Sequence, residues 1–170
     1  MLFGDFEEQY REYGKAKFAM LPVPYDATST WVKGADKGPE AFFDASFTLE
    51  NYDVETGTEA CKYGIATLAP ITEDRTPELL CEAVENSVAA ILADNKFPVT
   101  IGGNHTVSIG AIRAMAKKYD NLTVLQLDAH SDLRPSYEGS ELNHACVMNR
   151  AAEVAKITQV GIRSQCVEEL

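Results

Sequence analysis

The strongest constraint on the fold is a repeated alternation of short apolar runs with stretches of helical periodicity. Residues 17–23 form an apolar run ended by Pro24, which reads as a buried strand leading into a loop at 25–30. Lys37-Gly38-Pro39-Glu40 then opens a helix. Pro39 fits the first helical position, where its missing N–H costs nothing, and Glu40 suits the positive end of the helix dipole. Residues 65–69 are a second strand, and Pro77 opens a stronger helix reaching about residue 95. There Leu80, Val84, Val88, Ile91 and Leu92 recur on one face, with Glu78, Glu82 and Glu85 off it. Residues 97–101 are a third strand, 106–119 a helix, and 122–127 a fourth strand. In that helix Ile109, Ile112, Met115 and Ala116 are expected to face inward. A helix around 142–154 and a strand at 157–162 follow. Strands alternating with helices specify an α/β domain with a parallel sheet covered on both faces. Ligands gather at the carboxyl ends of such strands. No internal repeat, low-complexity stretch or linker interrupts the pattern, so residues 1–170 are read as a single domain.

Charge and cysteine usage narrow the function classes. Lys and Arg number 15 against 26 Asp and Glu, a formal charge of −11. Nucleic-acid binding needs clustered cations, so no nucleic-acid partner is expected. No apolar run is long enough for a membrane span, and no secretory signal is visible at the acidic N-terminus. Cys61, Cys81, Cys146 and Cys166 contain no C-x-x-C pair and read as reduced thiols of a cytoplasmic protein. Cys81 and Cys146 lie in helical patterns, as small core residues would.

The three histidines, His105, His130 and His144, all fall within 40 residues of one another. His105 follows the third strand in Gly102-Gly103-Asn104-His105, and His130 follows the fourth in Asp128-Ala129-His130-Ser131-Asp132. Both therefore belong to one edge of the sheet. The spacing of Asp128, His130 and Asp132 puts three side chains on one side of an extended backbone. Carboxylates converging there would repel without a cation. A divalent metal resolves the conflict, with His105 joining from the neighbouring strand end. Carboxylate and imidazole ligands without thiolate suit Mn²⁺, Fe²⁺, Co²⁺ or Zn²⁺. A carboxylate able to bridge makes a two-metal site feasible. The bland alternative for D-x-H-x-D alone is a solvated turn, and for His144 alone a capping or packing residue. The Gly-Gly pair lacks the flanking pattern of a phosphate loop.

These motifs resemble the ureohydrolases, the family of arginase and agmatinase. Val23-Pro24-Tyr25-Asp26-Ala27-Thr28-Ser29 looks like the first active-site loop, Gly38-Pro39-Glu40-Ala41 like the G-P-x-A helix start, and Gly102-Gly103-Asn104-His105-Thr106 like G-G-[DE]-H-S. Asp128-Ala129-His130-Ser131-Asp132 is similar to the highly specific D-A-H-x-D, and Gln159-Val160-Gly161-Ile162-Arg163 to the strand that follows. Leu133-Arg134-Pro135-Ser136-Tyr137-Glu138-Gly139-Ser140, with Asn143-His144-Ala145-Cys146, looks most like the agmatinase branch.

The resemblance implies a three-layer αβα fold with a mainly parallel sheet and hydrolysis of a small cationic guanidino substrate. In the agmatinase branch that is agmatine, cleaved to putrescine and urea by a hydroxide bridging two Mn²⁺ ions. Arginine, guanidinobutyrate, guanidinopropionate and formiminoglutamate are the substrates of its relatives. By the same resemblance His105 is a ligand of one Mn²⁺, Asp128 and Asp132 bind or bridge the pair, and His130 binds the second. His144 falls at the mobile histidine that carries a proton to the leaving amine. A trimer or hexamer is implied as well.

Two departures stand out. Asn104 replaces the usual acid before His105, which implies altered tuning around the metal rather than loss of it. The family's third motif, S-x-D-x-D-x-x-D-P, supplies two further metal aspartates and has no counterpart before Leu170. The expectation is therefore the N-terminal portion of the fold, its sheet open between the strands at 97–101 and 122–127, where later strands insert in the family. The competing expectation is a non-catalytic remnant that binds metal weakly or associates with a full-length relative. A deacetylase on the related fold fits less well, since that group lacks the first metal site.

Overall fold

A computed structural model describes residues 1–170. The principal elements are β1 (Phe18–Val23), α1 (Gly38–Ser46), a small hairpin of β2 (Tyr52–Asp53) and β3 (Thr58–Glu59), and β4 (Ile65–Thr67). They continue with α2 (Pro77–Ala93), β5 (Phe97–Gly102), α3 (Val107–Lys118), β6 (Thr123–Leu127), α4 (Val147–Ala152) and β7 (Lys156–Val160). β4, β1 and β5 form one parallel sheet in that order, and β6 pairs in parallel with β7 in another. β5 and β6 do not pair, so the sheet is open between them, as the resemblance implies.

β1 is central to its sheet and buried over Ala19–Val23, which explains its unbroken apolar run. Ala19, Leu21 and Val23 pack against Leu80, Val84, Val88, Ile91 and Leu92 of α2 and Val107 and Ala114 of α3. Thr76 caps α2 by accepting from the Leu79 N–H at 3.2 Å, and Pro77 takes the first turn. The contact between α2 and α3 is close at Gly110, where a Cβ would lie 2.3 Å from the Cys81 carbonyl oxygen. A second cluster joins Cys81 and Ile109 to Val147, Met148 and Ala151 of α4, over Val124 of β6 and Ile157 of β7. Cys81 and Cys146 are fully buried, as expected, and burial pushes the Cys81 thiol up to about 11.

The fold departs from the sequence expectation in three places. The β6–β7 sheet is covered on one face only: Leu125, Leu127 and Val160 of the other face are 60%, 74% and 52% exposed. Ala116 is only half-buried, because the inner face of α3 turns through Val107, Ile109, Gly110 and Ala114. The helix expected over 142–154 is shorter. Asn143 accepts from the Ala145 N–H at 3.2 Å and starts a single 3-10 turn, His144–Cys146, before α4 begins.

Candidate functional site

The ends of β5 and β6 lie beside one another although the strands do not pair, and a cleft of about 610 Å³ opens there. His105 lies in the turn between β5 and α3, and Asp128 directly follows β6. One ligand atom from each of His105, Asp128 and Asp132 lies within 4.8 Å of the other two. His105 Nδ1 is 2.7 Å from Asp132 Oδ2 and 3.6 Å from Asp128 Oδ2. With a proton on Nδ1, this nitrogen donates to the Asp132 carboxylate. With that proton displaced by a divalent cation, the same three atoms form a hard, mixed donor set.

His130 lines the same cleft but stands outside this trio, its ring 67% exposed and Nδ1 3.7 Å from Asp128 Oδ1. The spacing argument assumes extended chain throughout 128–132, and Asp132 breaks it with φ +52°. That left-handed turn gives the Asp132 side chain a direction its alternation with His130 does not predict.

Backbone and side-chain donors hold the carboxylate loop. Burial alone would raise the pKa of Asp128. The His130 N–H at 2.9 Å, the Gln126 amide at 3.2 Å and the nearby His105 outweigh it and keep the carboxyl below its usual range. Gln126 is buried on the covered face of β6, and the Gln159 amide on β7 donates to its side-chain oxygen. Gln159 also donates to the Ser131 carbonyl at 2.7 Å. The Asp132 carbonyl accepts from the Met148 and Asn149 N–H groups, so this loop also supplies the first turn of α4 with an acceptor.

Glu169 is a residue that the sequence reading missed. It accepts from the Ser131 hydroxyl at 2.7 Å and the Leu133 N–H at 3.0 Å, gripping the chain on both sides of Asp132. It also accepts from the Cys166 N–H at 2.6 Å. Burial opposes ionisation, but these donors outweigh it and hold the carboxyl at about 2. Its folded value lies below the ordinary carboxylate value of about 4.3. The stability it confers is thus full above that value and is lost as pH falls from about 5 towards 2. Thermal melts across this window should show a shallower acid loss in Glu169→Gln than in the parent. Equal slopes would remove the carboxylate from this role.

His144 stands on the cleft wall with its ring edge-to-face against Tyr137, centroids 5.8 Å apart. Its Nδ1 lies 2.9 Å from the Thr28 carbonyl oxygen. A carbonyl accepts only, so Nδ1 carries the proton and the neutral ring keeps its lone pair on Nε2.

The arginase-family profile matches residues 16–170. The chain belongs to the arginase family. It is 42% identical to an N(1)-aminopropylagmatine ureohydrolase of Synechocystis sp., over 95% of this chain and 56% of that protein. It is 32% identical to a Bacillus cereus agmatinase, over 96% and 58%. The solved agmatine ureohydrolase of Thermoplasma volcanium superposes with a TM-score of 0.87 at 35% identity, covering 92% of this chain and 54% of that one. The chain spans about half the length of the curated relatives it matches. The fold is the arginase-like αβα arrangement with a parallel sheet. No helix is long and apolar enough to cross a membrane.

Proposed function

We propose that this chain carries the metal-binding part of a Mn²⁺-dependent amidinohydrolase that cleaves a linear guanidino compound, agmatine or a close analogue, releasing urea. The observation that carries the reading is the convergence of His105, Asp128 and Asp132, with His144 on the wall of the same cleft. His105, Asp128 and Asp132 would hold a metal ion, and His130, 3.7 Å from Asp128, would be a further ligand from the same cleft. Bound manganese supplies Lewis acidity that makes water nucleophilic at neutral pH. The chain's own groups do the rest. The amides of Gln126 and His130 fix the Asp128 carboxylate, and Glu169 fixes the loop around Asp132. His144, protonated on Nδ1 and open at Nε2, takes a proton at Nε2 and passes it to the leaving amine. An acidic protein of charge −11 suits a cationic substrate. A cytoplasmic location and a homo-oligomeric assembly belong to the same reading.

Within it, N(1)-aminopropylagmatine is the second substrate, favoured by the 42% identity to a relative of that name against 32% to an agmatinase. Urea release from each compound in the presence of Mn²⁺ separates the two. Turnover of neither, nor of arginine or guanidinobutyrate, overturns the enzymatic reading. Metal binding without turnover would leave the non-catalytic alternative.

A further inference from the structure

We infer that Asn104 is a positioning residue for His144, acting through Thr28 in the first active-site loop. Asn104 takes the place of the acid in the motif, yet its side chain makes no hydrogen bond to the adjacent His105. Its Oδ1 accepts from the Thr106 N–H at 3.2 Å. Since a backbone N–H only donates, this contact fixes the amide orientation and turns Nδ2 toward the loop. Nδ2 donates to the Thr28 hydroxyl at 2.8 Å and to the Ser29 hydroxyl at 3.1 Å. The Thr28 hydroxyl is also 2.8 Å from that of Thr106, which is fully buried and does not move freely. The side chain of Thr28 is thus clamped from two directions at the end of β5. The carbonyl of this same residue is what His144 Nδ1 addresses at 2.9 Å.

The consequence is chemical. His144 can present a free Nε2 lone pair only while an acceptor holds its proton on Nδ1. A histidine side chain in water prefers the other tautomer, with the proton on Nε2. By fixing Thr28, Asn104 keeps that acceptor in place across a separation of 40 residues in sequence. An aspartate at 104 would accept from the Thr106 N–H and from the Thr28 hydroxyl, so it preserves the clamp with the Thr28 proton reversed. An alanine removes it.

The inference gives His144 a task only on the amidinohydrolase reading, but its test does not require turnover. The ¹⁵N-labelled 170-residue chain has three imidazoles to distinguish, and the loss of one pattern in His144→Gln assigns that ring. Long-range ¹H–¹⁵N correlation above the ordinary histidine pKa, at about pH 8, reads the tautomer of the neutral ring. The expected result is a His144 ring mainly protonated on Nδ1. In Asn104→Ala the ratio should move toward Nε2–H by about threefold to tenfold, the worth of one net hydrogen bond. Thr28→Val, which keeps the carbonyl and deletes the clamped hydroxyl, should move it the same way, and Asn104→Asp should restore it. His130 should not change. Restoration by Asn104→Asp, with Thr28→Val melting at the parent's temperature, separates this local effect from general loosening, which would also release the ring. A His144 already on Nε2–H in the parent chain overturns the inference. So does an unchanged ratio in Thr28→Val, which decides the matter if Asn104→Ala does not fold. Absence of urea release would count against the enzymatic reading and leave the tautomer result standing.

Discussion

Asp132→Asn is expected to lower Mn²⁺ affinity by about 100-fold or more while leaving the fold intact. Replacing outer groups that merely orient metal ligands costs about 10–100-fold, and a direct carboxylate ligand should cost at least the upper end. Three features make asparagine the informative substitution. Asp132 has φ +52°, a left-handed conformation that asparagine tolerates far better than alanine. The carbonyl that accepts from Met148 and Asn149 is unchanged, so the start of α4 keeps its acceptor. The grip of Glu169 falls on Ser131 and Leu133, not on the substituted side chain. What changes is the charge facing His105 Nδ1 at 2.7 Å. Isothermal titration with Mn²⁺, paired with a thermal melt without added metal, reads both halves. Metal binding displaces protons from the donor set, so the parent's affinity should also fall as pH is lowered. Equal affinity in parent and variant, with equal melting temperatures, would remove Asp132 from the ligand set.

The sequence was most readable where one physical signal dominated. α2 was legible because Leu80, Val84, Val88 and Ile91 all bury one stripe, and the structure buries each of them. The edge shared by His105 and Asp128 was legible because strands running in the same direction point their carboxyl ends to one edge. Two kinds of feature escaped. The β2–β3 hairpin has two residues per strand and depends on Asp53 Oδ1 accepting from the Glu55 N–H, so no apolar period marks it. The supports of the site escaped because their signal is not local. Gln126 and Gln159 occupy covered positions of two strands, and each alone reads as an ordinary polar residue. A glutamine at an inward strand position, opposite a second one, was the available clue. Glu169 gave no clue of that kind, since its partners in the Asp132 loop lie 36 and 38 residues away. The divergence at Asp132 has the same origin: spacing predicts a side only while the backbone stays extended.

Gly103→Ala should destabilise the protein by about 3 kcal/mol or more and abolish the metal site with it. The Gly-Gly pair lacks the pattern of a phosphate loop, and the geometry gives another reason for Gly103. A Cβ there would lie 2.0 Å from the Tyr25 carbonyl oxygen and 2.6 Å from its nitrogen. Both are backbone atoms, so no side chain can rotate away. The Gly103 N–H donates to the Val23 carbonyl at 3.0 Å, and the Asn104 N–H to the Tyr25 carbonyl at 2.9 Å. The β5 end is thereby stitched to the loop after β1 on either side of the clash. Moving that loop far enough to seat a methyl breaks these bonds and displaces Thr28, three residues on, together with the acceptor for His144. It also shifts His105, two residues from the substitution, out of register with Asp128 and Asp132. For a chain of this size the stability loss corresponds to a fall in melting temperature of about 6–12 °C. Mn²⁺ titration at a temperature where the variant remains folded separates the two effects. A variant that melts early yet binds metal as the parent does would confine Gly103 to packing. Full melting stability would mean that the loop after β1 yields without cost, and the stitched junction would then not be what holds the site together.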